Sequence, residues 1–151
     1  MKDYMLRAIY AGLIAVIFKD TFDWLYRFLG YNGAYVVHIA AGAFVAVDRI
    51  TTPFGLIIGY TAHYAVGGAL GYGFYQVLVI TGRNNFIQKG IFFGILTWLL
   101  LSGMLLSLGV SEFGPDDEST QLMLLLDHIV FGASLGYLVP RFLGEEFRSK
   151  K

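Results

Sequence analysis

The 151-residue chain contains no cysteine and only three prolines, and charged residues make up 15% of it. The absence of cysteine excludes disulfide bonds and thiolate metal sites. The low charge is unusual, because a soluble domain carries about 25% charged residues on a surface that faces water. The formal net charge is zero, which argues against nucleic acid as a partner. The sequence also lacks a phosphate-binding loop, an HExxH pattern and a nucleophile–base constellation, so no motif in it favours an enzyme.

Hydrophobic residues, by contrast, make up 56% of the chain and are concentrated in long runs. Residues 54–81, 90–111 and 119–140 are each long enough to cross a hydrocarbon core of about 30 Å, which needs roughly 20 helical residues. The sequence therefore predicts an all-α integral membrane protein of the plasma or inner cell membrane, with the lipid bilayer as its surroundings.

We expect a single transmembrane bundle over residues 1–151, with helices at about 5–29, 34–50, 54–81, 87–110 and 120–142. The second of these segments is short. If it forms a re-entrant or interfacial helix, the chain has four full spans, and if it crosses completely, the chain has five. The distribution of basic residues favours four spans, because positive charge concentrates on the cytoplasmic side of a membrane.

The loop SEFGPDDES at 111–119 is the most clearly aqueous part of the chain, and Ser119 or Thr120 is expected to cap the helix that follows it. Basic residues lie on the opposite side of the predicted membrane, in the turn after residue 81 and in the tail: Arg83, Lys89, Arg141, Arg148, Lys150 and Lys151. This asymmetry predicts a cytoplasmic C-terminus.

Three histidines each begin a similar phrase of small residues: HIAAGAFVAV from His38, HYAVGGALGY from His63 and HIVFGASLGY from His128. Residues four apart stack along one ridge of a helix, and small residues on such a ridge let two helices approach closely in a bilayer. The predicted ridges are Gly55–Gly59–His63–Gly67–Gly71, His128–Gly132–Gly136 and Gly90–Gly94. We interpret them first as helix–helix contacts.

His63 and His128 lie at matched depths in two helices that are predicted to run parallel, roughly 12–14 Å from the outer surface. Two facing imidazoles with clearance beside them are the arrangement that binds haem b in membrane cytochromes. Glycines four and eight residues after each histidine would give that clearance, so the candidate cofactor-binding residues are His63, His128, Gly67, Gly71, Gly132 and Gly136.

Ionisable residues inside the predicted spans suggest a second function, because such residues are costly in a membrane and often mark proton or ion pathways. The candidates for this pathway are Lys19, Asp20, Asp23, Asp127 and His38, together with the two histidines above. Nitrogen and oxygen ligands from His63, His128 and Asp127 are also candidates for holding a divalent metal. The alternative is a polar core in which Lys19 neutralises an aspartate.

The function that the sequence favours is structural: an accessory or assembly subunit that packs through its glycine ridges. The ridges Gly90–Gly94 and Gly55–Gly59 exceed what one small bundle needs, which favours a homo-oligomer or a larger membrane complex as partner.

The runs AGLIAVIFKDTFDWLYRFLG (11–30) and TGRNNFIQKGIFFGILTWLL (81–100) resemble segments of uncharacterised small bacterial multi-pass membrane proteins. The resemblance implies a multi-pass membrane fold with a basic, cytoplasmic turn before the fourth hydrophobic segment. It implies no activity.

Overall fold

The computed structural model describes residues 3–30, 35–115 and 117–144, and every regular element within them is helical. The five α-helices are α1 (Tyr4–Phe28), α2 (Val36–Ala41), α3 (Pro53–Thr81), α4 (Phe86–Trp98) and α5 (Glu118–Leu143). A 3₁₀ turn, Val47–Arg49, precedes α3, and α4 continues into a π-helical segment, Leu99–Leu105. The all-α prediction is confirmed.

Two helices in the described part of the chain are long and apolar enough to cross a membrane: Phe86–Leu105, which is α4 with the π segment, and α5. The other two long helices, α1 with 25 residues and α3 with 29, have the length but are not both apolar enough and sufficiently free of charge. Charged residues lie within the apolar sequence of α1, and glycines and tyrosines lower the mean hydropathy of α3. Hydropathy therefore identifies two spans rather than the four that were predicted.

The predicted helix at 34–50 is much shorter than its apolar sequence suggests. Only Val36–Ala41 is α-helical, and six residues extend roughly 9 Å. The described part of this segment therefore contains no single helix long enough to cross a bilayer, which the five-span alternative requires. Residue 34 lies outside the described residues.

The helices form a row in which each packs mainly on the next: α4 on α5, α5 on α1, α1 on α3, and α3 on α2. Direct contact between α3 and α4 or α5 is limited, so the row is only partly closed on that side. The core lies where α1, α3 and α5 meet, and its fully buried members include Val16, Phe74 and Leu135.

Glycines set the distances between the packed helices. A Cβ atom added to Gly71 would lie closer than 3.0 Å to backbone atoms of Ala8 and Gly12 in α1. Between α4 and α5, a Cβ on Gly90 would meet the backbone of Gly132 and Gly136 at similarly short distances. No side chain fits at these positions without moving a helix.

The ridges that sequence analysis considered spare are covered within the chain itself. Gly90 and Gly94 are buried against α5, and Gly55 and Gly59 are buried against the backbone of residues 37–50. The expected docking faces for a partner are therefore occupied, and the argument for an oligomer that rested on them no longer applies.

The cap of α5 is Asp117 rather than Ser119 or Thr120. Its carboxylate accepts hydrogen bonds from the Thr120 backbone amide at 2.8 Å and the Thr120 hydroxyl at 2.6 Å, and also from the Ser119 hydroxyl. These hydrogen bonds hold the pKa of Asp117 at about 2. A carboxylate is well placed here, because it satisfies free N–H groups and faces the positive end of the helix dipole.

We expect Asp117→Ala to lower the thermal midpoint by a few degrees and Asp117→Asn to retain most of the stability, because asparagine also caps helices. The cap's contribution should be present above the unfolded pKa of about 3.9 and disappear as pH falls through about 2. Circular dichroism melts of the three proteins at pH 6 and pH 2 measure this. Equal midpoints at pH 6 would contradict the assignment.

Candidate functional site

A buried cluster of charged side chains lies where α1, α3 and α5 meet. Its centre is Lys19, which is 3% exposed because it continues the inward-facing side of α1. That side repeats at intervals of three and four residues through Ala8, Ala11, Gly12, Ala15 and Val16, and position 19 is the next in the series. The helix therefore places an ammonium group among packed hydrocarbon.

Lys19 is neutralised by two carboxylates from different helices. Its Nζ lies 3.3 Å from Oδ1 of Asp20 and 3.6 Å from Oδ2 of Asp127. Asp20 is in turn hydrogen-bonded to His63, whose Nε2 lies 2.9 Å from Asp20 Oδ1. Four of the predicted residues thus form one connected group, which we call the Lys19 cluster: Lys19, Asp20, His63 and Asp127.

Asp127 is the most deeply buried member of the cluster, with 0% exposure. Neither of its oxygens has a hydrogen-bond partner in the described part of the chain, and its ion-pair partner there is Lys19. The hydroxyl of Tyr26, on the same side of α1, lies near both Asp127 and Asp23. Buried carboxylates are rarely left without hydrogen bonds, which makes this position a functional candidate.

His128 is buried beside the cluster but does not join its ion pairs. Its Nδ1 lies 2.7 Å from the carbonyl oxygen of Leu124. A carbonyl only accepts hydrogen bonds, so Nδ1 carries the proton and donates it. The other ring nitrogen, Nε2, has no hydrogen-bond partner among the described residues.

Both His63 and His128 line one cavity of about 410 Å³, in the partly closed gap between α3 and α5. The rest of its wall is almost entirely alkyl and comes from α2, α3, the π segment and α5. A smaller cavity of about 50 Å³ adjoins it and reaches Lys19 and Phe131. Both histidines therefore border the same cavity.

The π segment shapes the far wall of the cavity. Leu101, Ser102 and Leu105 face into it from a stretch in which the α-helical hydrogen-bond pattern is interrupted. An i→i+5 turn rotates the side chains that follow it, and such turns are frequent at functional sites.

Two residues of the predicted pathway lie outside the Lys19 cluster. Both carboxylate oxygens of Asp23 pair with Nε of Arg27 at 3.1 Å, one turn further along α1. His38 lies in α2, with its ring edge-on to Tyr35 and Phe113 at centroid distances of 5.1 and 6.0 Å. Within the described residues, neither Asp23 nor His38 forms an ion pair or hydrogen bond with a member of the Lys19 cluster.

The geometry does not fit haem b. The glycines that were expected to give clearance for a macrocycle, Gly67, Gly71, Gly132 and Gly136, are packed against the backbones or side chains of α1 and α4. Nε2 of His63 is also engaged by Asp20 rather than free to bind iron. For a metal ion, no three His, Cys, Asp or Glu side chains within the described ranges are grouped closely enough.

Comparison with known proteins gives no match: no family model fits the chain, and neither curated proteins nor solved structures are significantly similar to it. The resemblance to small bacterial membrane proteins, the partner and the structural role therefore stay predictions. The same holds for the orientation, because the tail residues Arg148, Lys150 and Lys151 lie outside the described residues.

Sequence reasoning missed Tyr26 and the cavity. The sequence could have indicated Tyr26, since positions 19, 23 and 26 share one side of a helix. The cavity could not have been predicted from the sequence, because it depends on the gap between α3 and α5 and on a π segment that no residue pattern indicates.

Proposed function

We propose that this protein is a small multi-pass membrane bundle with a proton pathway through the Lys19 cluster. The outer faces of the long helices support a lipid environment, because each carries large apolar side chains with more than half of their surface exposed. Examples, one from each long helix, are Phe18, Ile80, Phe92 and Leu122. Contiguous apolar surface of this kind is costly in water and expected in lipid.

The observation that carries the proposal is the charge balance of the cluster. Asp20 and Asp127 together carry two negative charges, and Lys19 supplies one positive charge within ion-pair distance of both. One further proton makes the group neutral. Since an uncompensated charge in a low-dielectric interior is costly, the cluster favours holding that proton.

The proton has two separate positions available to it. On His63 it forms an ion pair with Asp20, and on Asp127 it leaves Lys19 paired with Asp20. Lys19 lies between these positions, in contact with both carboxylates. Asp20 is the more exposed carboxylate, with 28% of its side chain accessible, and Asp127 is inaccessible. A proton entering at Asp20 therefore has an interior acceptor.

Proton flux into liposomes tests this pathway. With a potassium gradient, valinomycin and an internal pH-sensitive dye, we expect the wild-type protein to acidify the vesicles. Asp20→Asn and Asp127→Asn should each lower that rate by at least about tenfold, because an amide keeps the shape of the side chain but does not titrate.

Asp48→Asn is the matched control, since the Asp48 side chain is 77% exposed and its ion pair is with the surface residue Arg49. Its flux should equal that of the wild type. Unchanged flux in both cluster variants, or equal losses in the control, would overturn the proposal.

A further inference from the structure

The cavity of about 410 Å³ has a largely alkyl wall, and its polar side chains are the imidazoles of His63 and His128 and the hydroxyls of Ser102 and Ser111. Its volume lies within the range of roughly 300–1,000 Å³ that is typical of small-molecule sites. Its outer part is formed by Phe44 and Val66, which are 69% and 42% exposed, so it is accessible from outside the helix row. A molecule that enters from this side meets alkyl groups first and the imidazoles last.

The imidazole of His128 presents a hydrogen-bond acceptor to the cavity. No carboxylate in the described residues lies within ion-pair distance of His128, and Lys19 already contributes a positive charge nearby. A second buried cation without a partner is costly, so the imidazole is neutral. With Nδ1 donating to Leu124, the lone pair of Nε2 remains, and a neutral imidazole can only accept there.

His63 presents the same chemistry. Its Nε2 is committed to the Asp20 carboxylate, and Nδ1 has no partner in the described part of the chain. When the ring is neutral, Nδ1 is also an acceptor. The acceptor on His128 is present in both states of the Lys19 cluster, and it favours a ligand group that donates over carboxylates and carbonyls, which only accept.

We propose that this cavity binds a lipid-soluble alkyl phenol or long-chain alcohol, with its hydroxyl donating to Nε2 of His128 and its chain lying among the alkyl side chains of α3 and the π segment. The proposal is independent of the proton pathway. It needs His128 and the cavity, whereas the pathway needs Asp20 and Asp127.

Radiolabelled 4-nonylphenol and its methyl ether, 4-nonylanisole, test the proposal with the purified protein in nanodiscs. The two probes share one chain and differ in the hydroxyl donor. After subtraction of partitioning into empty nanodiscs, nonylphenol should bind saturably, and roughly tenfold more tightly than nonylanisole, because the ether leaves a buried acceptor unpaired.

Two variants assign the effect to this site. His128→Phe keeps a ring but removes the hydrogen-bond acceptor. In this variant the ratio of the two affinities, nonylphenol over nonylanisole, should fall to about one. Ala62→Leu fills the cavity and should weaken both probes, whereas Ala69→Leu, on an exposed part of α3, should weaken neither.

Saturable binding with the expected preference, lost in His128→Phe, supports the proposal. Equal binding of the two probes, no saturable binding, or a preference that survives in His128→Phe overturns it. The wild-type comparison and Ala62→Leu decide the question even if His128→Phe does not fold. If the phenol does not bind as expected but the proton flux depends on Asp20 and Asp127, only the ligand proposal is overturned.

Discussion

Replacing Lys19 by methionine is expected to lower the free energy of unfolding by about 3–5 kcal/mol, the usual cost of removing one partner from a buried ion pair. Methionine has a similar length and fills the same volume, so the loss reflects charge rather than packing. Asp20 retains His63 at 2.9 Å, but Asp127 loses the ion-pair partner that it has among the described residues and keeps only the nearby hydroxyl of Tyr26. Equilibrium denaturation in mixed micelles, followed by circular dichroism, measures the loss.

A second substitution separates this explanation from a packing defect. In Lys19→Met combined with Asp127→Asn, the stranded negative charge is gone, and more than half of the lost stability should return. Arg49→Met removes a cation from an exposed pair, in which the partner Asp48 lies 3.7 Å away, and should change stability by less than about 1 kcal/mol. If the double variant is no more stable than Lys19→Met alone, Asp127 is not the cause.

Gly71→Ala is expected to destabilise the protein by about 1–3 kcal/mol, because one added methyl group would overlap the backbone of α1 at Ala8 and Gly12. Backbone atoms cannot rotate aside, so α1 and α3 must separate along their whole contact. Melting temperatures measured in a mild detergent provide the comparison.

Gly73→Ala is the matched control, two residues further along the same helix. Its added Cβ would meet only the Cζ atom of Phe93, at an ordinary 3.6 Å. Because alanine is the better helix former, this variant should be as stable as the wild type or slightly more so. Equal behaviour of the two alanine variants would show that the α1–α3 contact is looser than the structure has it.

Much of the helical architecture follows from local sequence. Long apolar runs and turn residues placed α1, α3 and α5 within two residues of their observed ends, as with 54–81 against Pro53–Thr81. The helix predicted over 34–50 failed because most of the segment is apolar, and apolarity alone does not distinguish a helix from packed irregular backbone. The expected α-helix over 87–110 also failed at its C-terminal half, where it becomes the π segment and ends at Leu105.

The sequence was sufficient to predict which residues form the candidate site, but not which of them form ion pairs with each other. Buried charge requires a partner, so Lys19, Asp20, Asp127 and His63 could be expected to meet. Which carboxylate paired with which cation depended on helix rotation, and a difference of three residues on α1 directs Asp20 to His63 but Asp23 to Arg27. The expected use of the glycines beside the histidines was wrong because the same small residues also admit a neighbouring helix.

The pairing of Lys19 with Asp127 joins the first long helix of the chain to the last. A ribosome delivers these two helices about a hundred residues apart, so the nascent α1 carries Lys19 beside Asp20 before Asp127 has been synthesised. On the proposed membrane fold, we expect α1 to reach its final buried position only when α5 arrives with that second carboxylate.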